Sequence, residues 1–314
     1  MLLTDYLRST RDPTWDIALQ CGVRHGVIRL PEDDEFDLTD VSHWQTVCKR
    51  FADFGITPVV IEPMPNAIHD HIKAGDALRD ESIDKALRMF PIMRDLGIDT
   101  VCFNWMAHIG WIRTRSDFPE RGGAKVTAFD MADFKPTGAV ITADELWKNY
   151  EYFIKAAVPE AEKYGIKLAL HPDDPPVPRL GDVERIMISR ANIEHAIYGI
   201  CPSDSLGITM CQANYHIMGE NLEMLIPKFA EKIFFVHFRN TTGVPTSFRE
   251  TFHDNGDIDM ARLMRIYVDS GVNVPIRVDH VPTMKHEQST IAGYDALGRM
   301  FAIGYLKGIL DATK

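Results

Sequence analysis

Short, nearly continuous apolar runs recur along the chain and alternate with longer amphipathic segments. Such runs are typical of parallel strands that are buried on both faces, because neither face then needs polar side chains. Seven runs stand out: HGVIRL (25–30), TPVVIE (57–62), TVCFNW (100–105), KLALH (167–171), LGITMC (206–211), IFFVHF (233–238) and PIRVDH (275–280). Between runs, residues 82–98 and 145–166 have the periodicity of amphipathic helices. The alternation predicts a parallel α/β domain.

The alternation favours an α/β fold of the (β/α)8 TIM-barrel class over an open, doubly wound sheet. Open nucleotide-binding sheets usually carry a glycine-rich first turn, and neither GxGxxG nor GxxxxGK[ST] occurs in the sequence. We therefore predict a single TIM-barrel domain over residues 1–314. A barrel of this class needs eight strands, and we expect the missing strand near Ser247–Phe252 or near Tyr294–Ile303.

One connection, which follows the third of the seven runs, is unusually long. Residues 106–145 contain Gly122-Gly123, two prolines and many charged residues. A loop of this length in a compact domain is commonly an active-site lid or is disordered. It leaves the carboxyl end of a strand, where barrel enzymes keep their chemistry. We predict that residues 106–145 form a lid or insertion loop.

Charge and cysteine content narrow the possible partners and the compartment. The chain has 34 Lys and Arg against 45 Asp and Glu, a net charge of −11, which argues against broad binding to nucleic acid or to an anionic membrane. Five scattered cysteines without a CxxC pair do not resemble a disulfide framework. Asp5, Arg8 and Arg11 interrupt any apolar signal region, and no run is long enough to span a membrane. We expect a cytoplasmic protein.

Four potential metal ligands lie at or next to the ends of successive predicted strands. They are His171, Cys211, His237 and Asp279. Because the carboxyl ends of parallel barrel strands meet at one rim, these side chains could converge on one ion. Two imidazoles, a thiol and a carboxylate suit Mn, Fe, Co or Zn better than Ca or Mg. Each residue alone is more often structural, as a hydrogen-bonded His, a packed Cys or a helix-capping Asp, so the spacing leaves both interpretations open.

Denser polar strings surround these positions. They are HPDDPP (171–176), VHFRN (236–240), FRETFHDNGDIDM (248–260) and RVDHVP (277–282). His280 follows the proposed ligand Asp279, so it is a candidate acid or base near neutral pH. The string at 248–260 is equally typical of a solvated turn followed by a helix cap.

These strings, in this order, resemble the D-mannonate dehydratase family. The likeness runs from about Val27 to Gly308 and implies a TIM barrel of the xylose-isomerase type with a divalent metal, Mn2+ or Fe2+. It also implies that His171, Cys211, His237 and Asp279 are the metal ligands and that His280 and Tyr294 are catalytic. The chain departs from the family pattern at Val278 and Val281, where the family usually has Pro and Gly, and at residues 212–216, which follow the Cys.

The resemblance implies a lyase (hydro-lyase) that converts D-mannonate to 2-keto-3-deoxy-D-gluconate in hexuronate catabolism. Arg113, Arg115 and Arg239 are candidates to bind the substrate carboxylate, because a planar guanidinium matches a carboxylate; a surface salt bridge is the alternative for each. We also predict that Asn240 and Asp173 bind substrate. The expected partner is a small sugar acid, not nucleic acid or a membrane, and a homo-oligomer stays open. The alternatives are a metal-dependent sugar isomerase or epimerase, with Glu62 as an added ligand, and an inactive sugar-acid-binding paralogue.

Overall fold

Eight parallel strands form a closed barrel in the computed structural model, which describes residues 1–289 and 291–313. The barrel strands are β1 (Leu2–Arg8), β2 (His25–Arg29), β3 (Thr57–Ile61), β4 (Thr100–Asn104), β8 (Lys167–His171), β11 (Leu206–Cys211), β12 (Ile233–Phe238) and β15 (Pro275–Val278). They pair in chain order, and β15 pairs with β1 to close the ring. The predicted TIM-barrel class is confirmed.

Helices cover the outside of the barrel. They are α1 (Pro13–Gln20), α2 (Val41–Phe54), α3 (Asn66–Ala74), α4 (Arg79–Asp95), α5 (Ala143–Tyr164), α6 (Arg190–Glu194), α7 (Gln212–Ile217), α8 (Leu222–Phe229), α9 (Met260–Asp269) and α10 (Ala296–Ala312). Local sequence sets the ends of α5: Thr142 and Glu145 form a reciprocal capping box, and Gly165 ends the helix in the left-handed conformation. None of the described helices is long and apolar enough to cross a membrane.

The eighth barrel strand is β1, at the amino-terminal end, so both predicted locations were wrong. Ser247–Glu250 is a strand of a different sheet, and residues 296–303 lie in α10. Strand β1 does not form an apolar run, because it contains the polar residues Thr4 and Asp5. Both are buried: the Thr4 hydroxyl donates to the Ile276 carbonyl, and Asp5 accepts a hydrogen bond from Arg299. The strand before the long insertion is consequently the fourth of the barrel.

The segment predicted as a loop contains strands of its own. These are β5 (Arg115–Pro119), β6 (Lys125–Asp130) and β7 (Val140–Ile141). Strands β5 and β6 join β13 (Thr241–Val244) and β14 (Ser247–Glu250), which follow β12, in a four-stranded antiparallel sheet. We call these four strands the mouth sheet, because they extend from the carboxyl ends of β4 and β12. Strand β7 pairs with β10 (Asp182–Glu184), which also pairs with β9 (Arg179–Leu180).

Two glycines of α10 give a matched test of how this helix packs. A Cβ at Gly298 would collide with the carbonyl oxygen of Pro282, whereas a Cβ at Gly304 would meet no atom within 4 Å. We expect Gly298→Ala to lower the free energy of unfolding by about 1–3 kcal/mol through overpacking. Gly304→Ala should raise it by about 0.5–1 kcal/mol, because alanine favours helix. Urea unfolding of both variants checks this, and equal effects would contradict the packing described.

Candidate active site

A cavity of about 970 Å3 opens at the carboxyl end of the barrel. Seven residues of its wall lie at the carboxyl ends of barrel strands, within one residue of the last position: Arg8, Arg29, Glu62, Asn104, His171, His237 and Asp279. This is the face on which barrel enzymes build their active sites. The cavity is large enough for a small sugar derivative.

Three of the four predicted ligands form a compact group at this cavity, and two of them, His171 and His237, line its wall. The candidate ligand atoms of His171, Cys211 and His237 lie within 4.8 Å of one another. Cys211 and His237 are paired in the register of β11 and β12, which accounts for their closeness. Asp279, one residue beyond β15, lies beside the group with its Oδ2 3.7 Å from His237 Nδ1. Neighbouring strand ends therefore bring the four side chains together.

The polar contacts of His171 and His237 fix which ring nitrogen carries the proton, and they leave two unprotonated nitrogens facing each other. His171 Nδ1 lies 2.6 Å from the Pro172 carbonyl oxygen, which can only accept, so this nitrogen carries the proton. His237 Nε2 lies 2.9 Å from Glu62 Oε1, an ion-pair contact that favours the proton on this nitrogen. The two remaining nitrogens, His171 Nε2 and His237 Nδ1, face each other 3.2 Å apart. Two opposed acceptors are the arrangement that a bound cation would stabilise.

The protonation states of the group suit a metal that binds thiolate and imidazole. Burial lowers the pKa of His171 to about 3 and also lowers that of His237, so both rings are neutral and able to ligate. Burial raises the pKa of the Cys211 thiol to about 12, so the thiol is protonated near neutral pH. A bound metal ion would displace this proton and bind the thiolate. The donor set therefore fits a first-row divalent transition metal.

Glu62 belongs to a second possible ligand group, with Cys102 and His237, but its oxygens are already engaged. Arg277 donates to both of them, Nε to Oε2 at 2.8 Å and Nη2 to Oε1 at 2.9 Å. Burial alone would raise the pKa of Glu62, but the charge of Arg277 holds it well below its usual value. Glu62 is thus an ionised carboxylate that orients His237.

A buried network of carboxylates and guanidinium groups surrounds the ligand group. Arg113 binds Asp174 through two hydrogen bonds of 2.6 and 3.0 Å and reaches Glu250 at 2.6 Å. Arg239 contacts Asp174 at 2.9 Å, Asp279 at 3.3 Å and Glu250 at 3.2 Å. Because Glu250 belongs to β14, the network ties the mouth sheet to the ligand group.

The residues predicted to bind substrate all contact protein groups. Arg113 and Arg239 are part of the network, and Arg115 is exposed on β5, 3.1 Å from Asp117. The Asn240 amide donates to the carbonyls of His253 and Ile258, and Asp173 accepts from the Met187 amide. Of these five residues, only Arg239 lines the cavity. Their role in substrate binding stays a prediction.

His280 and Tyr294 both line the cavity next to Asp279. His280 Nδ1 lies 3.1 Å from Glu250 Oε1, and its backbone has a φ of +32°, a conformation that residues other than glycine rarely adopt. The Tyr294 hydroxyl donates to Asp279 Oδ1 at 3.4 Å. Burial raises the pKa of Tyr294 well above its usual value, so the phenol is protonated near neutral pH.

Several cavity residues were missed from the sequence. Tyr6 and Arg8 line the wall from β1, a strand that was not recognised, and Trp111 packs its ring 4.8 Å from that of His280. The spacing of Tyr6 and Arg8 is a usable signal, because residues two apart on a strand share one face. The position of Trp111 depends on how the insertion folds, which no local pattern indicates.

Comparison with known proteins agrees with this geometry. The family model of D-mannonate dehydratase (UxuA) matches residues 16–138 and 136–314. A mannonate dehydratase of Streptococcus equi subsp. zooepidemicus is 32% identical over 292 residues, covering 82% of this chain and 79% of that protein. The crystal structure of mannonate dehydratase from Streptococcus suis serotype 2 superposes with a TM-score of 0.90 at 27% identity, covering 100% of this chain and 93% of that one.

A more distant barrel shares the fold alone. The xylose isomerase domain protein from Planctomyces limnophilus superposes with a TM-score of 0.63 at 12% identity, covering 99% of this chain and 96% of that one. The family model, by contrast, extends over nearly the whole chain. The chain therefore belongs to the D-mannonate dehydratase family.

Proposed function

We propose that the protein is a metal-dependent hydro-lyase that removes water from D-mannonate to give 2-keto-3-deoxy-D-gluconate. The observation that carries this proposal is the pair of opposed imidazole lone pairs beside Cys211, Asp279, His280 and Tyr294 in a sugar-sized cavity. Membership in a family whose curated relatives are mannonate dehydratases supports the substrate.

In this proposal His171, Cys211, His237 and Asp279 would hold the divalent metal, Mn2+ or Fe2+. When bound, such an ion supplies Lewis-acid stabilisation for the negative charge that develops on the substrate oxygens. Glu62 keeps His237 in the tautomer whose Nδ1 is free to ligate. The Pro172 carbonyl does the same for Nε2 of His171.

We assign removal of the C2 proton to His280. Burial alone would raise the pKa of Glu250, but Arg239, His280 and Arg113 keep it below its usual value, so this carboxylate is ionised and can only accept. His280 Nδ1 then donates to it, and Nε2 keeps a lone pair that can take the proton. The electrons of the C2–H bond form the C2–C3 double bond as the C3–OH bond breaks.

Tyr294 is the group that we assign to the leaving hydroxyl. Its protonated phenol would donate to the C3 oxygen, which departs as water. The remaining enol carries a hydroxyl on C2 and converts to the 2-keto product by moving that proton to C3. Atoms and charge balance, because the proton gained by His280 can return through solvent to the Tyr294 oxygen.

The environment of Glu62 argues against a sugar isomerase or epimerase on the same barrel. That alternative needs an additional carboxylate ligand, and Glu62 was the candidate. Both of its oxygens are bound by Arg277, and one of them also lies 2.9 Å from His237 Nε2. A carboxylate engaged in this way orients other groups and is not available to a second metal position.

The remaining features of the proposal concern organisation and location. We treat residues 1–314 as one barrel domain and residues 106–145 as its lid, a role supported by the pairing of β6 with β14 next to Glu250. We place the protein in the cytoplasm, since all five cysteines are free thiols. Self-association as a homo-oligomer is compatible with the proposal.

A product assay tests the proposed activity directly. Protein loaded with Mn2+ or Fe2+ is incubated with a panel of aldonic acids, and 2-keto-3-deoxy acids are measured. We expect product from D-mannonate, at a rate well above that from its epimers. Turnover of none of the acids by metal-loaded, folded protein would contradict the dehydratase, and interconversion of sugars without loss of water would favour an isomerase.

Removing one ligand tests the metal group. We expect Cys211→Ser and His171→Ala to lower bound Mn2+ to a small fraction of wild type, because each loses one of few protein ligands. Metal analysis of dialysed protein measures this. Cys48→Ser is the control, since that thiol belongs to α2 on the outside of the barrel and to neither candidate ligand group. Wild-type metal content in both ligand variants would remove these residues from the site.

The acid and base are tested by variants that keep the ligands. General acid–base groups contribute about 10²–10⁴-fold, so His280→Asn and Tyr294→Phe should each lower kcat by roughly that factor. Metal content and Tm should stay near wild type, because neither residue is a proposed ligand. A folded, metal-loaded and fully active variant would exclude its residue from catalysis. A lower Tm with normal specific activity would indicate that the residue only contributes to packing.

A further inference from the structure

The cavity wall carries six Lys and Arg side chains among the residues that the structure describes. They are Arg8, Arg29, Lys73, Arg239, Arg277 and Arg299. Four of them already form ion pairs with protein carboxylates, which leave little hydrogen-bonding capacity for a ligand. Arg239 and Arg277 belong to the buried network, Arg299 pairs with buried Asp5, and Lys73 lies 2.9 Å from Asp70.

Arg8 and Arg29 differ from the other four. They are Cα partners at the ends of the parallel strands β1 and β2, so their side chains leave the same face of the sheet. Arg29 lies 2.6 Å from Glu32, and both of these side chains are about a third exposed, at 32% and 38%. Arg8 has no salt bridge to any described carboxylate. Of these two arginines, only Arg29 pairs with a described carboxylate, and that carboxylate is solvent-accessible.

Such a pair is stabilised by an anion. Like charges directly opposite on neighbouring strands repel, and a ligand carboxylate between them removes the repulsion. Guanidinium groups bind carboxylates through two parallel hydrogen bonds, so two of them can fix both the position and the orientation of the acid. A local positive site is also needed to attract an anionic substrate to a chain with a net charge of −11.

We propose that Arg8 and Arg29 form the subsite that binds the carboxylate of the sugar-acid substrate. This inference rests on the proposed function, and it moves carboxylate recognition away from Arg113, Arg115 and Arg239. Arg113, Arg115 and Arg239 form ion pairs with protein carboxylates. Arg8 and Arg29, by contrast, have unused hydrogen-bonding capacity at the cavity wall.

Tyr6 connects this subsite to the proposed reacting groups. It lines the cavity with both arginines, and its ring centre lies 5.8 Å from that of Tyr294. Tyr6 and Arg8 lie two residues apart on β1 and leave the same face of the strand, so the arginine pair is next to the Tyr6–Tyr294 contact along the cavity wall. A carboxylate bound by the pair places the adjacent carbons, where water is lost, on the side of the cavity that faces Tyr294 and His280.

Binding of an acid and its uncharged analogue tests the subsite. The probes are D-mannonate and D-mannonamide, whose amide replaces the carboxylate, and the measurement is calorimetric titration of Mn2+-loaded protein. Every protein in this titration also carries His280→Asn, so that the acid is not converted during the measurement. With both arginines in place, the protein should prefer the acid. Arg8→Gln and Arg29→Gln should each raise the Kd of the acid about tenfold or more, with less than a twofold change for the amide.

Arg24→Gln is the matched control, because Arg24 is exposed at the opposite end of β2. This substitution removes the same charge as the other two. It should leave both Kd values unchanged. A protein with both arginines but without a preference for the acid, or Arg8 and Arg29 variants that keep the preference, would overturn the subsite. So would equal losses in the Arg24 variant, since these would indicate an effect of net charge alone.

Product assays on the proteins that keep His280 separate this inference from the proposed function. If wild type forms no keto-deoxy acid from any aldonate, but the acid preference exists and depends on both arginines, the subsite stands and the dehydratase fails. If wild type dehydrates D-mannonate and both variants keep the acid preference and kcat/KM, the subsite fails and the dehydratase stands.

Discussion

Pairing between buried guanidinium and carboxylate groups holds the candidate active site together. Arg239, which is fully buried, contacts carboxylates from three separate segments: Asp174 after β8, Glu250 in β14 and Asp279 after β15. A buried charge is tolerated only when it is paired, and loss of one partner leaves the others uncompensated. The positions of the mouth sheet, of the proposed ligand Asp279 and of His280 therefore depend on one another through these ion pairs.

The same network sets the charge that the site presents to a metal. Asp174, Glu250, Asp279 and Glu62 face three guanidinium groups, those of Arg113, Arg239 and Arg277, which leaves one negative charge. Ionisation of the Cys211 thiol would add a second. A divalent cation balances both, which is a physical reason for a protein to keep so many buried charges in one place. The neutral, lone-pair-directed imidazoles of His171 and His237 agree with this account.

The sequence predicted the barrel class, and it predicted that four candidate ligands lie close together, because both depend on repeating features. Strands that are buried on both faces consist of nearly continuous apolar residues. Side chains at their carboxyl ends meet at one rim of the barrel, independently of the conformation of the loops. Strand β1 was missed because Asp5 is buried through an ion pair with Arg299, a partner 294 residues away. The partners of Arg113 were equally hidden, since Glu250 reaches it across 137 residues through pairing of β6 with β14. Long-range pairing of charges leaves no local pattern in a sequence.

The affinity of an Arg239→Lys variant for Mn2+ tests most directly whether the network holds the metal site. Lysine keeps the charge but lacks the planar fork that reaches three carboxylates together. Changes to groups that orient metal ligands commonly lower metal affinity 10–100-fold. The account predicts a loss in this range, measured by competition titration, with an unchanged circular dichroism spectrum. Wild-type affinity in the folded variant would contradict it, because the ligand positions would then be set without Arg239.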